Sequence, residues 1–146
     1  MNIKLLMKRI VFYFISFSWG IIMSTIGLIA ILALIPFRKV HIFHGRLYAV
    51  VGKNWGGVGL GCFFLCDKDC EDSDYLRAHE CGHGIQNCIF GPFAIFLIYI
   101  PSFVRYWYRE LKYSRNNIAP KTGYYDIWFE KQASNFGNKY VLTDKI

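Results

Sequence analysis

His79 and His83 stand four residues apart with Glu80 directly after the first, in the run His79-Glu80-Cys81-Gly82-His83. On a helix, residues at this spacing share a face, so both imidazoles can reach one Zn2+ ion. Glu80 falls about 100° further round the helix. There its carboxylate meets a water in the open position of the metal and not the metal itself. Zinc lowers the pKa of such a water, and the carboxylate takes its proton as the water attacks a carbonyl. These are the mechanics of a His-Glu-x-x-His helix. With the His and Glu content of this chain, a chance match has odds on the order of 0.3%, so the motif leads the reading. The plainer alternative is a pair of histidines without a metal.

A hydrolytic zinc site takes three protein ligands and leaves the fourth position to water. The best third candidate is Glu130, in Tyr124-Tyr125-Asp126-Ile127-Trp128-Phe129-Glu130-Lys131-Gln132-Ala133, with Asp126 one turn earlier in reserve. On a helix Ala133, Ser134 and Gly137 lie near the Glu130 face, and small residues there allow close approach to the His helix. Phe129, Phe136 and Tyr140 form a flanking apolar stripe. The plainer alternative is a solvated Glu130 paired with Lys131 or Lys139.

The elements that must position these groups can be read from their boundaries. Ser73 or Asp72 caps a helix, Asp74 complements its dipole, and Gly91-Pro92 ends it after Phe90. Ala78, Cys81, Gly82, Ile85, Cys88 and Ile89 give that helix an apolar back, while His79, His83 and Gln86 share the other face. A last helix is expected from Tyr124 to about Tyr140. Leu47 to Gly52 and Val58 to Cys66 read as two strands of a hairpin around the turn residues Lys53 to Gly57. The second of these comes just before the His helix, where an edge strand would pair with extended substrate. An acidic loop follows from Asp67 to Asp72.

From Ile10 to Pro36 the sequence carries no charge. A helix over this run is long enough to cross about 30 Å of hydrocarbon. No small-residue cleavage site follows, so a retained anchor is expected. Lys4, Lys8 and Arg9 flank one end and Arg38, Lys39 and Arg46 the other, which leaves the orientation undecided. Phe93 to Val104 is a second apolar run, broken at Pro92 and Pro101. Because His83 and Glu130 must meet on the same side, this run is expected as a re-entrant or interfacial hairpin, or as a core helix. Arg105 to Arg115 mixes aromatic and basic residues, as membrane interfaces do. His41 and His44, beside the anchor, read as headgroup contacts.

The formal net charge is +7. Because the Lys and Arg residues flank apolar runs and no groove-reading motif accompanies them, the charge points to anionic lipid and away from nucleic acid. The five cysteines (Cys62, Cys66, Cys70, Cys81 and Cys88) lack zinc-knuckle spacing and read as small buried hydrophobes, with a disulfide or an accessory metal as alternatives.

His79 to His83 followed by Glu130-Lys131-Gln132-Ala133 resembles the gluzincins, and in style the heat-shock and prenyl-protein-processing membrane peptidases. The pattern His79 to Gln86, Gly91-Pro92, Pro101-Ser102 and Glu130 to Ala133 is also similar to small bacterial membrane proteins with a His-Glu-x-Gly-His-x-x-Gln helix. The resemblance covers roughly residues 45 to 140. It implies zinc held by His79, His83 and Glu130, with Glu80 as catalytic base and a peptide or protein as substrate. Tyr124 or Tyr125 could serve an oxyanion, although packing is the plainer role for both. The chain departs from the larger peptidases at Ser134, where they carry an acid that braces a ligand His. The site-2-type intramembrane proteases share the His-Glu-x-x-His helix but take their third ligand from an Asp in a spanning helix. The polar stretch around Glu130 fits such a helix badly.

The resulting expectation is an α+β chain: an N-terminal membrane anchor over 1–37, then a minimal zincin-like domain over 38–146 with a membrane-associated segment at 93–104. The expected activity is zinc-dependent peptide-bond hydrolysis at the bacterial cytoplasmic membrane. Two other readings compete with it. One is a non-catalytic membrane module pinned by structural zinc. The other is a metal-dependent hydrolase of a non-peptide substrate.

Overall fold

A computed structural model describes residues 3–37, 39–119 and 123–143. Arg38, expected to flank the anchor, lies outside the described residues. The chain is α+β. Helices α1 (Ile3–Ser18) and α2 (Ile21–Leu34) precede strands β1 (Val40–Phe43), β2 (Arg46–Val50), β3 (Gly57–Leu60) and β4 (Phe63–Cys66). Helices α3 (Lys68–Glu71) and α4 (Asp74–Phe90) follow. A π-turn (Ile95–Tyr99) leads into α5 (Ile100–Arg109), and α6 (Trp128–Phe136) continues into a second π-turn (Gly137–Thr143).

The strand order is β1-β2-β4-β3, and β2 and β4 run parallel. This differs from the expected hairpin between Leu47–Gly52 and Val58–Cys66. The second run is itself folded back at Gly61, where φ is +66°. Residues 57–60 therefore pair antiparallel with 63–66, and the returning half lies parallel to β2. Gly61 supplies a left-handed conformation that side chains resist. β1 and β2 close through His44 and Gly45, both at positive φ, as a tight right-twisting hairpin requires.

Alternation along the strands sorts the sheet's faces. Tyr48 and Phe64 stack at 4.8 Å on one face and pack with Cys66, Ala78, Cys81 and Val141. Ala49 and Phe63 face the other way, onto Ile31 and Cys62. The sheet is thus a middle layer, with α4 and the C-terminal segment on one side and the N-terminal helices on the other. Asp67, expected in a loop, caps α3. Its carboxylate accepts from the amides of Trp55, Gly56 and Cys70, each at 2.8 Å.

The apolar run from Ile10 to Pro36 is two helices bent by 100°, and not one. Among the described residues no single helix is long and apolar enough to cross a membrane. Asp74–Phe93 and Ile95–Ser114 make a second bent pair, at 118°. The two bends meet. Asn87 Nδ2 donates to the Gly20 carbonyl at 3.0 Å, and a Cβ on Gly91 would collide with the Trp19 ring. The break expected at Pro101 does not occur: the π-turn before it shifts the hydrogen-bond register and the missing N–H is absorbed.

Candidate metal centre

Ser73 caps α4 by accepting from the Leu76 amide at 3.3 Å, and the helix ends at Gly91, where φ is +54°. Between these ends α4 is buried from Ala78 to Gly84, the sheet on one side and α6 on the other. Two close approaches bring α6 in. A Cβ on Gly82 would strike the Ala133 carbonyl, and one on Gly137 would strike that of Ala78. Small residues at these places set the interhelical distance, and with it the reach of Glu130.

The structure brings His79, His83 and Glu130 together in one buried group. Glu130 Oε2 lies 3.1 Å from His79 Nε2 and 3.4 Å from His83 Nε2. Ligands bonded to a tetrahedral zinc at about 2.05 Å stand about 3.3 Å apart. The two distances to Glu130 match this spacing, and the three donor atoms all lie within 4.8 Å of one another, so the group could hold a metal ion. Two imidazole nitrogens and a carboxylate are a donor set that divalent transition metals accept. Exposure is 3%, 7% and 1% for the three residues, so a metal here is shielded from competing ligands.

Each ligand is also held from behind. His79 Nδ1 lies 2.9 Å from Ser134 Oγ. His83 Nδ1 donates to Gln86 Oε1 at 2.8 Å, which turns the Nε2 lone pair to the shared point. Gln86 in turn donates to the Phe129 carbonyl and to Gln132 Oε1 on α6. Ser102 Oγ donates to Glu130 Oε1 at 2.5 Å, leaving Oε2 for the histidines. Ser134 thus takes, with a hydroxyl, the place where the larger peptidases carry an acid.

Burial pushes the Glu130 carboxyl up, but hydrogen bonds from His79, His83 and Ser102 outweigh it and hold the group well below the usual carboxylate range. Burial lowers His83, yet Glu130 and Glu80 together raise it above its ordinary value. Glu80 differs from both. Burial raises its carboxyl, and the two imidazoles offset this only in part. Glu80 is 7% exposed and its Oε2 has no partner among the described residues. Its carboxylate lies against edge strand β3, where a Cβ on Gly57 would come within 2.7 Å of Oε1. Gly59 makes the same allowance for His83. A buried carboxylate with one oxygen free beside a three-donor cluster is an arrangement able to accept a proton next to a metal.

The remaining candidates fall outside the cluster. Asp126, the reserve ligand, accepts from the Gly123 amide at 2.6 Å. Tyr125 packs edge-on against His79 at 4.8 Å, and the Tyr124 hydroxyl lies 3.5 Å from Ser102 Oγ. His41 lies 3.9 Å from Glu71 on exposed β1. All five cysteines are free thiols, four of them buried, as small apolar residues would be. Sequence reasoning missed Ser102 and the bridging role of Gln86. The Pro101-Ser102 pair stands out in the sequence, but nothing in its position ties it to a residue 28 places away. Compared with family models, curated proteins and solved structures, the chain matches none, so its likeness to the gluzincins rests on the side chains just described.

Proposed function

We propose that this chain is a zinc-dependent hydrolase that cleaves peptide bonds at a membrane surface. The observation that carries the reading is the buried His79-His83-Glu130 donor set with Glu80 beside it, its Oε2 without a hydrogen-bond partner among the described residues. Zinc bound there would supply Lewis acidity, making a water acidic enough to lose its proton near neutral pH. Glu80 accepts that proton and returns it to the leaving amine. His79 and His83 are oriented by Ser134 and Gln86, and Ser102 holds Oε1 of Glu130, so that Oε2 would be the oxygen offered to the metal. β3 ends the sheet beside Glu80, and its free edge suits an extended peptide.

The membrane part rests on exposed apolar side chains along both bent pairs. They include Phe14, Ile26, Ile29 and Leu32 on the first, and Phe93, Phe96, Phe103 and Val104 on the second. The 16 residues of α1 span about 24 Å, short of the 30 Å hydrocarbon layer. The bends thus suit entry from one side, with the metal donors kept on that side.

The test is Glu80→Gln. It retains stoichiometric zinc by elemental analysis and loses at least a hundredfold in cleavage of a quenched fluorogenic peptide library by protein in lipid nanodiscs. Undiminished cleavage removes Glu80 as the base. A second reading, zinc as a structural pin between α4 and α6, draws on the depth of burial of all three ligands. It expects Glu80→Gln to be silent in every assay, no library member to be cut, and His83→Ala to unfold the domain.

A further inference from the structure

Behind α4, on the side away from the metal donors, a groove of about 520 Å3 runs between α1, α4 and the C-terminal segment. That volume is in the range of ligand pockets. Val11, Ile15, Ile85 and Ile89 give it apolar walls, and Lys8 stands on its rim. The groove also reaches Arg46, the first residue of β2, which is 3% exposed.

Arg46 lacks a counter-charge. Its Nη1 donates to the Cys81 carbonyl at 2.6 Å, and the Phe12 ring covers the guanidinium at 4.2 Å. Its Nη2 is buried with no hydrogen-bond partner, as is Nε of Arg9 nearby in α1. Among the described residues no carboxylate pairs with Lys8, Arg9 or Arg46. A buried guanidinium without an anion is costly, and an anion entering from the groove would offset that cost.

We infer that this groove binds one long-chain fatty acid, its carboxylate on the Arg46 guanidinium beneath Phe12 and its alkyl chain along α1 and α4. The anion must be small, because the guanidinium it meets is buried. A carboxylate satisfies this, whereas a phospholipid would bring a hydrated headgroup and a second chain. The tail must be apolar, because the walls are. Met7 and Val11 on the exposed flank of α1 leave the groove open to a bilayer, where such amphiphiles are dissolved.

The experiment measures binding of radiolabelled palmitate to the full chain in nanodiscs of zwitterionic lipid, with hexadecanol and dioleoylphosphatidylglycerol as competitors. One palmitate binds per chain, and hexadecanol, lacking the charge, competes at least tenfold more weakly. Arg46→Met lowers palmitate affinity at least tenfold. Ile89→Trp, at a residue already 52% exposed, fills the groove and abolishes binding with an unchanged thermal melt. This second variant keeps the test decisive should Arg46→Met misfold. Hexadecanol binding as tightly as palmitate, or palmitate binding undisturbed by Ile89→Trp, overturns the assignment. Displacement of palmitate by equimolar phosphatidylglycerol also overturns it and gives the groove to a phospholipid.

Discussion

Replacing Gly82 by Ala tests whether contact between α4 and α6 sets the metal geometry. The new Cβ would strike the Ala133 carbonyl oxygen, which is nearer still than the carbonyl carbon at 2.7 Å; ordinary contact begins at 3.4 Å, so the helices must part by more than about 0.7 Å. Glu130 is on α6 and both histidines are on α4, so the displacement falls directly on the ligand set. Metal–ligand distances tolerate only about 0.2 Å. Overpacking of this kind costs about 1–3 kcal/mol. If the penalty is felt mainly in the metal-bound state, zinc affinity falls about 5- to 150-fold, at 1.4 kcal/mol per tenfold. Competition against a chromogenic chelator at neutral pH measures this, with melting of the apo-protein as the control for folding. Adding Ala133→Gly does not rescue, because the clash is with backbone and not with the Ala133 methyl. A Gly82→Ala protein that binds zinc within twofold of wild type refutes the argument.

Other consequences can be measured alongside. Ser134→Ala removes the hydrogen bond behind His79 and should weaken zinc binding about 10- to 100-fold by the same competition assay. Free zinc at a hundred times its Kd should stabilise the fold by about 2.7 kcal/mol, which for a chain of this size raises the melting temperature by roughly 8 °C, and chelator should reverse the gain. Asp67→Ala strands three amides and should cost about 3 kcal/mol in urea unfolding at neutral pH. Burial raises the Asp67 carboxyl, but those amides more than offset it and leave the group below its ordinary value of 3.8. The stability it contributes is therefore complete above that value and is lost as pH falls through the lower folded-state value. The difference between wild type and Asp67→Ala should shrink in that acid window, and a difference independent of pH would count against the capping role.

Much of α4 was legible in the sequence, because its signals are local. Ser73 can cap only the turn that follows it, Gly91-Pro92 must end the helix, and the His spacing reads directly as one face. The small residues around Glu130 also pointed to close helix contact. What was hidden depends on partners distant in the chain. The break at Gly20 lies in a uniformly apolar run, and its position is fixed by docking against Asn87, 67 residues later. The parallel pairing of β2 with β4 hinges on Gly61 as a turn, yet in sequence a strand glycine reads only as a weak point. Ser102 carries no mark of its contact with Glu130, and Pro101 beside it suggested a break that the preceding π-turn removes.

The meeting of the two bends fixes a length. With Asn87 tied to Gly20 and Trp19 seated against Gly91, neither apex can shift without carrying the other. His83 lies eight residues from Gly91 and His79 twelve, which places the donors about 12 and 18 Å along a straight helix from that vertex. The vertex and the metal donors are thus two ends of one rigid strut. In the proposed hydrolase, a vertex resting in lipid would keep the reacting bond at a constant standoff from it. Such an enzyme would select its target by how far a bond stands from the bilayer as well as by the residues around it.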